Sequence, residues 1–140
     1  MKANDLRIGN LVSLRTPCTS PKKGMKISIG EIIIIKKNKI TVKFLDGFSH
    51  SLLLNTFRPI ELSKDWLFRF NFSHSEFMKG YIGLETNNTS FILVEPNEFK
   101  DFYSFPFTIG GVQMNRKIEF VHELQNLYFA LTNKELILND

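Results

Sequence analysis

Between Ile40 and Leu54 the chain reads ITVKFLDGFSHSLLL, two alternating runs around an Asp46-Gly47 pair. Asp-Gly between period-two apolar runs is a strong short-range hairpin signal, because these residues accept the positive φ of a tight turn. Ile40, Val42 and Phe44 fall on one face of the first run, with Thr41 and Lys43 on the other. A segment patterned in this way folds as antiparallel β-structure with one buried face. The flanking sequence extends the pattern. Lys26 to Ile35 reads as a strand reversed at Lys36-Lys37-Asn38-Lys39, and Leu6 to Leu14 as a strand with a bend or bulge at Gly9-Asn10. Thr16 to Gly24 is a loop by composition, holding two prolines and two lysines. Phe57 to Leu62 closes the unit, since Pro59 is confined to an edge or a turn. Five short strands with one long early loop predict an SH3-like β-barrel over residues 1–62.

Residues 63–140 read as a second β-rich unit, so the expected class is α+β, mostly β: an SH3-like N-terminal β-barrel, then an antiparallel sheet with a packed C-terminal helix. Ser63 is placed to cap a short helix anchored by Trp66, Leu67 and Phe70. Glu76–Leu84 and Thr89–Val94 read as a hairpin around Thr86-Asn87-Asn88, and Val112–Phe120 as a further strand. The intervening Glu98–Gly111 is very aromatic, but Pro106 and Gly110-Gly111 limit it to edge strand or loop. Val121 to Thr132 carries a helical stripe of Val121, Leu124, Leu127, Tyr128 and Leu131, with Asn133 as a left-handed cap. Phe129 lies off that stripe. A helix apolar on two sides is sandwiched in the fold or shared with a partner; the expected arrangement is a sandwich, with Phe129 and Ala130 packed on the sheet.

Charge divides the chain. Residues 1–70 hold 13 Lys and Arg against 5 Asp and Glu, and residues 71–140 hold 5 against 9. Such asymmetry fits a polyanion facing the first half, or lysines that keep a strand-rich half soluble and block edge pairing. The longest apolar run, Ile32 to Ile35, is far short of the roughly 20 residues of a membrane span, and MKANDLRIGN has no signal-peptide core. A single cysteine, Cys18, suits a reducing compartment. These features predict a soluble, cytoplasmic protein that contacts no membrane.

No catalytic signature stands out. His50, His74 and His122 lack metal-ligand spacing, only one thiol is present, and Gly110-Gly111 is followed by no phosphate-loop lysine. No catalytic residue, metal site, cofactor or small-molecule substrate is therefore expected; the Glu95/Glu98 and Glu98/Asp101 pairs read as a solvated rim, and a nuclease using unrecognised carboxylates is the enzymatic alternative. Binding surfaces are better represented. Arg15, Lys22, Lys23, Lys26, Lys36, Lys37, Lys39 and Lys43 crowd the strand connections of the first half, and converging loops would make them one nucleic-acid-binding patch. Phe44, Phe48 and Phe57 would serve either as base-stacking rings or as core. Phe99, Phe102, Tyr103 and Phe105 belong to an aromatic stretch that is either buried wall or a protein-binding edge.

MKANDLRIGNLV at the start, Pro59-Ile60 with Trp66-Leu67 in the middle, and IEFVHELQNLYFALTNKEL at the end resemble a family of small bacterial proteins carried by prophages and mobile elements. Most of that family has no assigned activity, so the resemblance carries over no functional residue. Its setting implies an anti-defence role. By that analogy the chain would be an anti-CRISPR protein that inhibits an RNA-guided effector of the bacterial host, such as a type VI effector, by binding the effector protein, its guide RNA or both. The alternative is a mobile-element nucleic-acid-binding accessory protein with no effector partner.

Overall fold

The structure is a computed structural model that describes residues 5–17, 25–74, 76, 81–85, 89–94, 102–108 and 116–139, with backbone alone in parts of the second sheet. It divides into two compact units, Met1–Ile60 and Glu61–Asp140. The first holds β1 (Leu11–Pro17), β2 (Met25–Lys36), β3 (Lys39–Phe44), β4 (Ser49–Leu53), a single 3-10 turn (Leu54–Thr56) and β5 (Phe57–Arg58). These form one curled antiparallel sheet, a half-barrel, in the order β4-β3-β2-β1-β5.

The curl comes from β2. Its residues from Met25 to Glu31 pair with β1, while those from Gly30 to Lys36 pair with β3. Only Gly30 and Glu31 pair on both sides, so one long strand serves two staggered neighbours. A Cβ on Gly30 would lie 2.5 Å from Val42 Cγ1, 2.7 Å from Lys43 O and 2.9 Å from Phe44 Cδ1. Only a residue without a side chain allows β3 to approach this closely. Between Ile32 and Ile34 the register shifts by one residue, a β-bulge that increases local bend and twist. The bulge also corrects the inward pattern. Ile32 opposes Val42, and Ile35, an odd number of residues later, still packs on the same core.

Leu6, Val12, Leu14, Ile32, Ile40, Val42, Phe44 and Phe57 make that core. The first strand begins at Leu11 rather than at Leu6. Gly9 adopts φ 91°, and the buried Asn10 accepts the Arg7 N–H on its side-chain oxygen at 2.9 Å. Such a local side-chain bond offers the backbone a turn in place of a ladder. Leu6 thus reaches the core from a turn. The Asp46-Gly47 hairpin is present as expected, with the Asp46 carboxylate accepting the Phe48 N–H at 3.1 Å.

The second unit contains α1 (Lys64–Arg69), β6 (Ser73–His74), β7 (Tyr81–Glu85), β8 (Thr89–Val94), β9 (Phe102–Thr108), β10 (Arg116–Ile118) and α2 (Val121–Thr132). Its antiparallel sheet runs β10-β9-β8-β7-β6. Glu61 bridges Phe120, and the Leu62 N–H donates to Glu119 O at 2.9 Å. These bonds draw Glu61 and Leu62 into the second unit, two residues earlier than the expected boundary. The described part of the aromatic stretch, Phe102–Thr108, is a strand between β8 and β10. Pro106 lies within β9 opposite Phe91 of β8, and the described part of β10 pairs with Phe102 to Ser104.

Ser63 caps α1 by accepting the Trp66 N–H, and Leu67 and Phe70 are buried. Arg69 lies over the Trp66 ring at 4.4 Å, which leaves Trp66 half-buried. On α2, Glu123 accepts the N–H groups of Glu119 and Phe120 at 2.8 and 3.1 Å, satisfying donors at the helix start. Asn133 closes the helix at φ 53°. Ala130 is exposed rather than packed on the sheet, Phe129 is half-buried, and His122 and Gln125 are buried along with Val121, Leu124, Leu127 and Tyr128. His122 stacks on Phe120 at 5.7 Å between ring centroids. The helix buries a mixed face wider than its apolar stripe. Among the described residues no helix is long and apolar enough to cross a membrane.

Gly30→Ala should destabilise the protein by about 1–3 kcal/mol, the usual cost of overpacking, read as a lower midpoint in denaturant unfolding. Leu124→Ala, at a fully buried position of α2, should cost about 2–5 kcal/mol. Ala130→Ser should leave the midpoint within about 0.5 kcal/mol, as exposed positions do.

Candidate nucleic-acid interface

Residues directly opposite each other in adjacent strands share a face of the sheet. Three rows therefore run across β2, β3 and β4: Glu31–Lys43–Ser49, Ile34–Thr41–Ser51 and Lys36–Lys39–Leu53. The alternate residues of β3, Ile40, Val42 and Phe44, are buried, so these rows form the outward face. Lys36, Lys39 and Lys43 stand exposed on it, and exposed Lys37 adjoins them in the β2–β3 turn. Glu31 is the one carboxylate in the three rows. None of the four lysines is in an ion pair among the described residues.

Lys36 and Lys39 are direct cross-strand partners. Like charges in that position are destabilising, so the pair runs against the local preference of the hairpin. Around them the face is hydrogen-bonding, with Thr41, Ser49 and Ser51 as hydroxyls. Lys39 and Lys43 are four residues apart on one strand, roughly 13 Å at strand rise, which suits contacts to successive or alternate phosphates of an extended backbone. The charge division follows the units: the first holds 11 Lys and Arg against 3 Asp and Glu, the second 7 against 11.

The eight cations expected in one patch are not brought together. Arg15 and Lys26 are exposed near the β1–β2 connection, at the opposite end of β2 from Lys36, Lys37 and Lys39. Lys43 is on the same strand as Lys39, whereas Arg15, opposite Ile27 on the same face, lies two strands away toward the other end of β2. Lys22 and Lys23 lie outside the described residues. Phe44 and Phe57 are core residues, at 6% and 2% exposure, so neither is a base-stacking ring. Phe48 is exposed at 67%, beside exposed Leu45 at the β3–β4 turn. Phe99 falls outside the described residues, and Phe102, Tyr103 and Phe105 lie on β9, opposite Ile118, Val94 and Ile92 respectively.

The three histidines belong to separate places. His50 packs against Phe44, His74 against Phe68 and His122 against Phe120. No group of three or more His, Cys, Asp or Glu among the described residues is arranged to hold a metal. No protein-family model, curated protein or solved structure matches this chain. The resemblance to the mobile-element family thus rests on the quoted motifs themselves.

The opposed lysines yield a simple expectation. Lys36→Glu replaces a like-charge pair with an attractive one and should stabilise the fold by about 0.2–1 kcal/mol, seen as a higher unfolding midpoint at low salt. The gain should shrink as salt is raised.

Proposed function

We propose that this chain is a non-enzymatic protein that binds RNA through the outward face of β2, β3 and β4. The observation that carries the reading is the opposed pair Lys36 and Lys39, joined on one face by Lys43 and in the adjacent turn by Lys37. A hairpin that concentrates like charge against its own stability is best explained by a polyanion that supplies the missing counter-charge. The first unit is read as an SH3-like barrel. Its strand order, the 3-10 turn between β4 and β5, and the long β1–β2 connection support that reading.

In the mobile-element setting implied by the terminal motifs, the RNA is the guide of a host RNA-guided effector and the chain is its inhibitor. Backbone phosphates are the natural target of such a face, because lysines supply charge without reading bases. Four phosphate contacts predict that affinity for single-stranded RNA falls about fiftyfold for a fourfold rise in salt.

The test is RNA binding by fluorescence anisotropy across a salt series, with the triple change Lys36→Glu, Lys39→Glu and Lys43→Glu. Binding should be lost while circular dichroism is retained, with the unfolding midpoint lowered only by the like charge that Lys43→Glu sets opposite Glu31, about 0.2–1 kcal/mol. Changing Lys22, Lys23 and Lys26 to Glu should weaken binding much less. A triple variant that binds like the wild type, with a flat salt response, would overturn the reading. Capture from host lysate with and without ribonuclease then tells an effector inhibitor, which retains the effector, from an accessory protein, which retains only RNA.

A further inference from the structure

β4 is the outer strand of the first sheet, and among the described residues no strand pairs with its far side. Its backbone polarity can be assigned. The Phe44 N–H donates to Phe48 O at 2.8 Å and the Leu54 N–H to Asn38 O at 3.1 Å, bracketing the β3–β4 ladder at both ends. Bonded and non-bonded pairs alternate along an antiparallel ladder. Val42–His50 and Ile40–Leu52 are therefore the bonded pairs, and Lys43–Ser49, Thr41–Ser51 and Lys39–Leu53 the non-bonded ones. The N–H and C=O groups of Ser49, Ser51 and Leu53 consequently point off the edge of the sheet.

Proteins protect such edges with lysine, proline, bulges or covering segments. SHSLL has no charge and no proline, and Ser49, His50, Ser51 and Leu53 are all exposed. Leu53 leaves half of its surface in water. The neighbouring strands carry the lysines; the edge itself carries none.

We infer that β4 pairs antiparallel with β4 of a second copy of this chain, about a two-fold axis through Ser51. The three outward-pointing residues are evenly spaced and symmetric about Ser51, so the edge complements itself. Ser51 meets Ser51 of the partner, and Ser49 meets Leu53 on either side. Each of these pairs exchanges two backbone hydrogen bonds, which satisfies every donor and acceptor that the edge presents. His50 and Leu52 oppose each other on the inner face. Lys43 and the second copy's Lys39 lie on β3 strands three strand spacings apart, about 14 Å, beyond the screening length at physiological salt. Self-pairing thus brings no close like charges together. Directly opposed residues share a face, so the outward lysines of both copies lie on the same side of one continuous sheet. The inference does not depend on RNA binding, but it would double the cationic face proposed for it.

A five-residue edge makes a small interface, so the dimer should be concentration-dependent. Sedimentation velocity on the full chain in the absence of RNA is the test. The wild type should move from monomer to dimer as concentration rises. Ser51→Lys and Ser51→Glu each place two like charges on the axis and should each remain monomeric, while an equimolar mixture of the two should dimerise. Ser51 is exposed and its N–H faces away from β3, so both variants, and Ser51→Pro as a third, should keep the wild-type circular dichroism. A wild type that stays monomeric at its highest soluble concentration overturns the inference, as does a dimer that persists in Ser51→Lys. Two monomeric variants whose mixture does not pair would equally exclude a two-fold at Ser51.

Discussion

The first unit depends on how closely β3 can lie over Gly30. At that point β2 is paired on both sides, with Val12 on one strand and Phe44 on the other. The backbone oxygen of Lys43 occupies the space where a side chain would begin. Because nothing stands between the strands, β2 can turn from one neighbour to the other and the sheet can curl around a small core. The bulge at Ile33 adds the rest of the bend and returns Ile35 to the interior. Bulges and glycines of this kind are what curve a sheet enough to close over its own apolar face.

The same curl determines what the outside presents. Burial of Ile40, Val42 and Phe44 forces Lys39, Thr41 and Lys43 outward, since strand residues alternate. The tight β2–β3 turn then sets Lys36 against Lys39. The cationic face is therefore a by-product of a well-packed interior in its geometry, but not in its composition. Threonine or glutamate at position 36 or 39 would satisfy the strand equally well and avoid the repulsion. Local conflict of this kind is expected where a surface has a task besides folding.

In the second unit, α2 shows how far periodicity can be trusted. Val121, Leu124, Leu127 and Tyr128 are buried as their spacing requires, and Asn133 ends the helix in the left-handed region. His122 and Gln125 are also buried, although their residue types suggest solvent. The helix is covered over more of its circumference than its apolar stripe marks, and these polar side chains are covered with it. Ala130, which hydrophobicity alone would send inward, is exposed, and Phe129 is half-buried.

Alternation, turn residues and caps are local properties, and the elements that depend on them were legible in the sequence. The Asp46-Gly47 hairpin, the Ser63 and Asn133 caps, the span of α2 and the inward set of β3 all follow from residues within a few positions of one another. The charge division between the halves was equally legible, because it is a matter of composition. Partners distant along the chain decided the rest. The turn at Gly9-Asn10 is held by hydrogen bonds to Ile32, and Pro106 lies within a strand paired with β8. Which lysines share a face depends on the register between β2, β3 and β4, so Lys43 sits with the turn lysines and Lys26 does not. Register is a relation between strands, fixed by the packing of a common core, and no single stretch of sequence contains it.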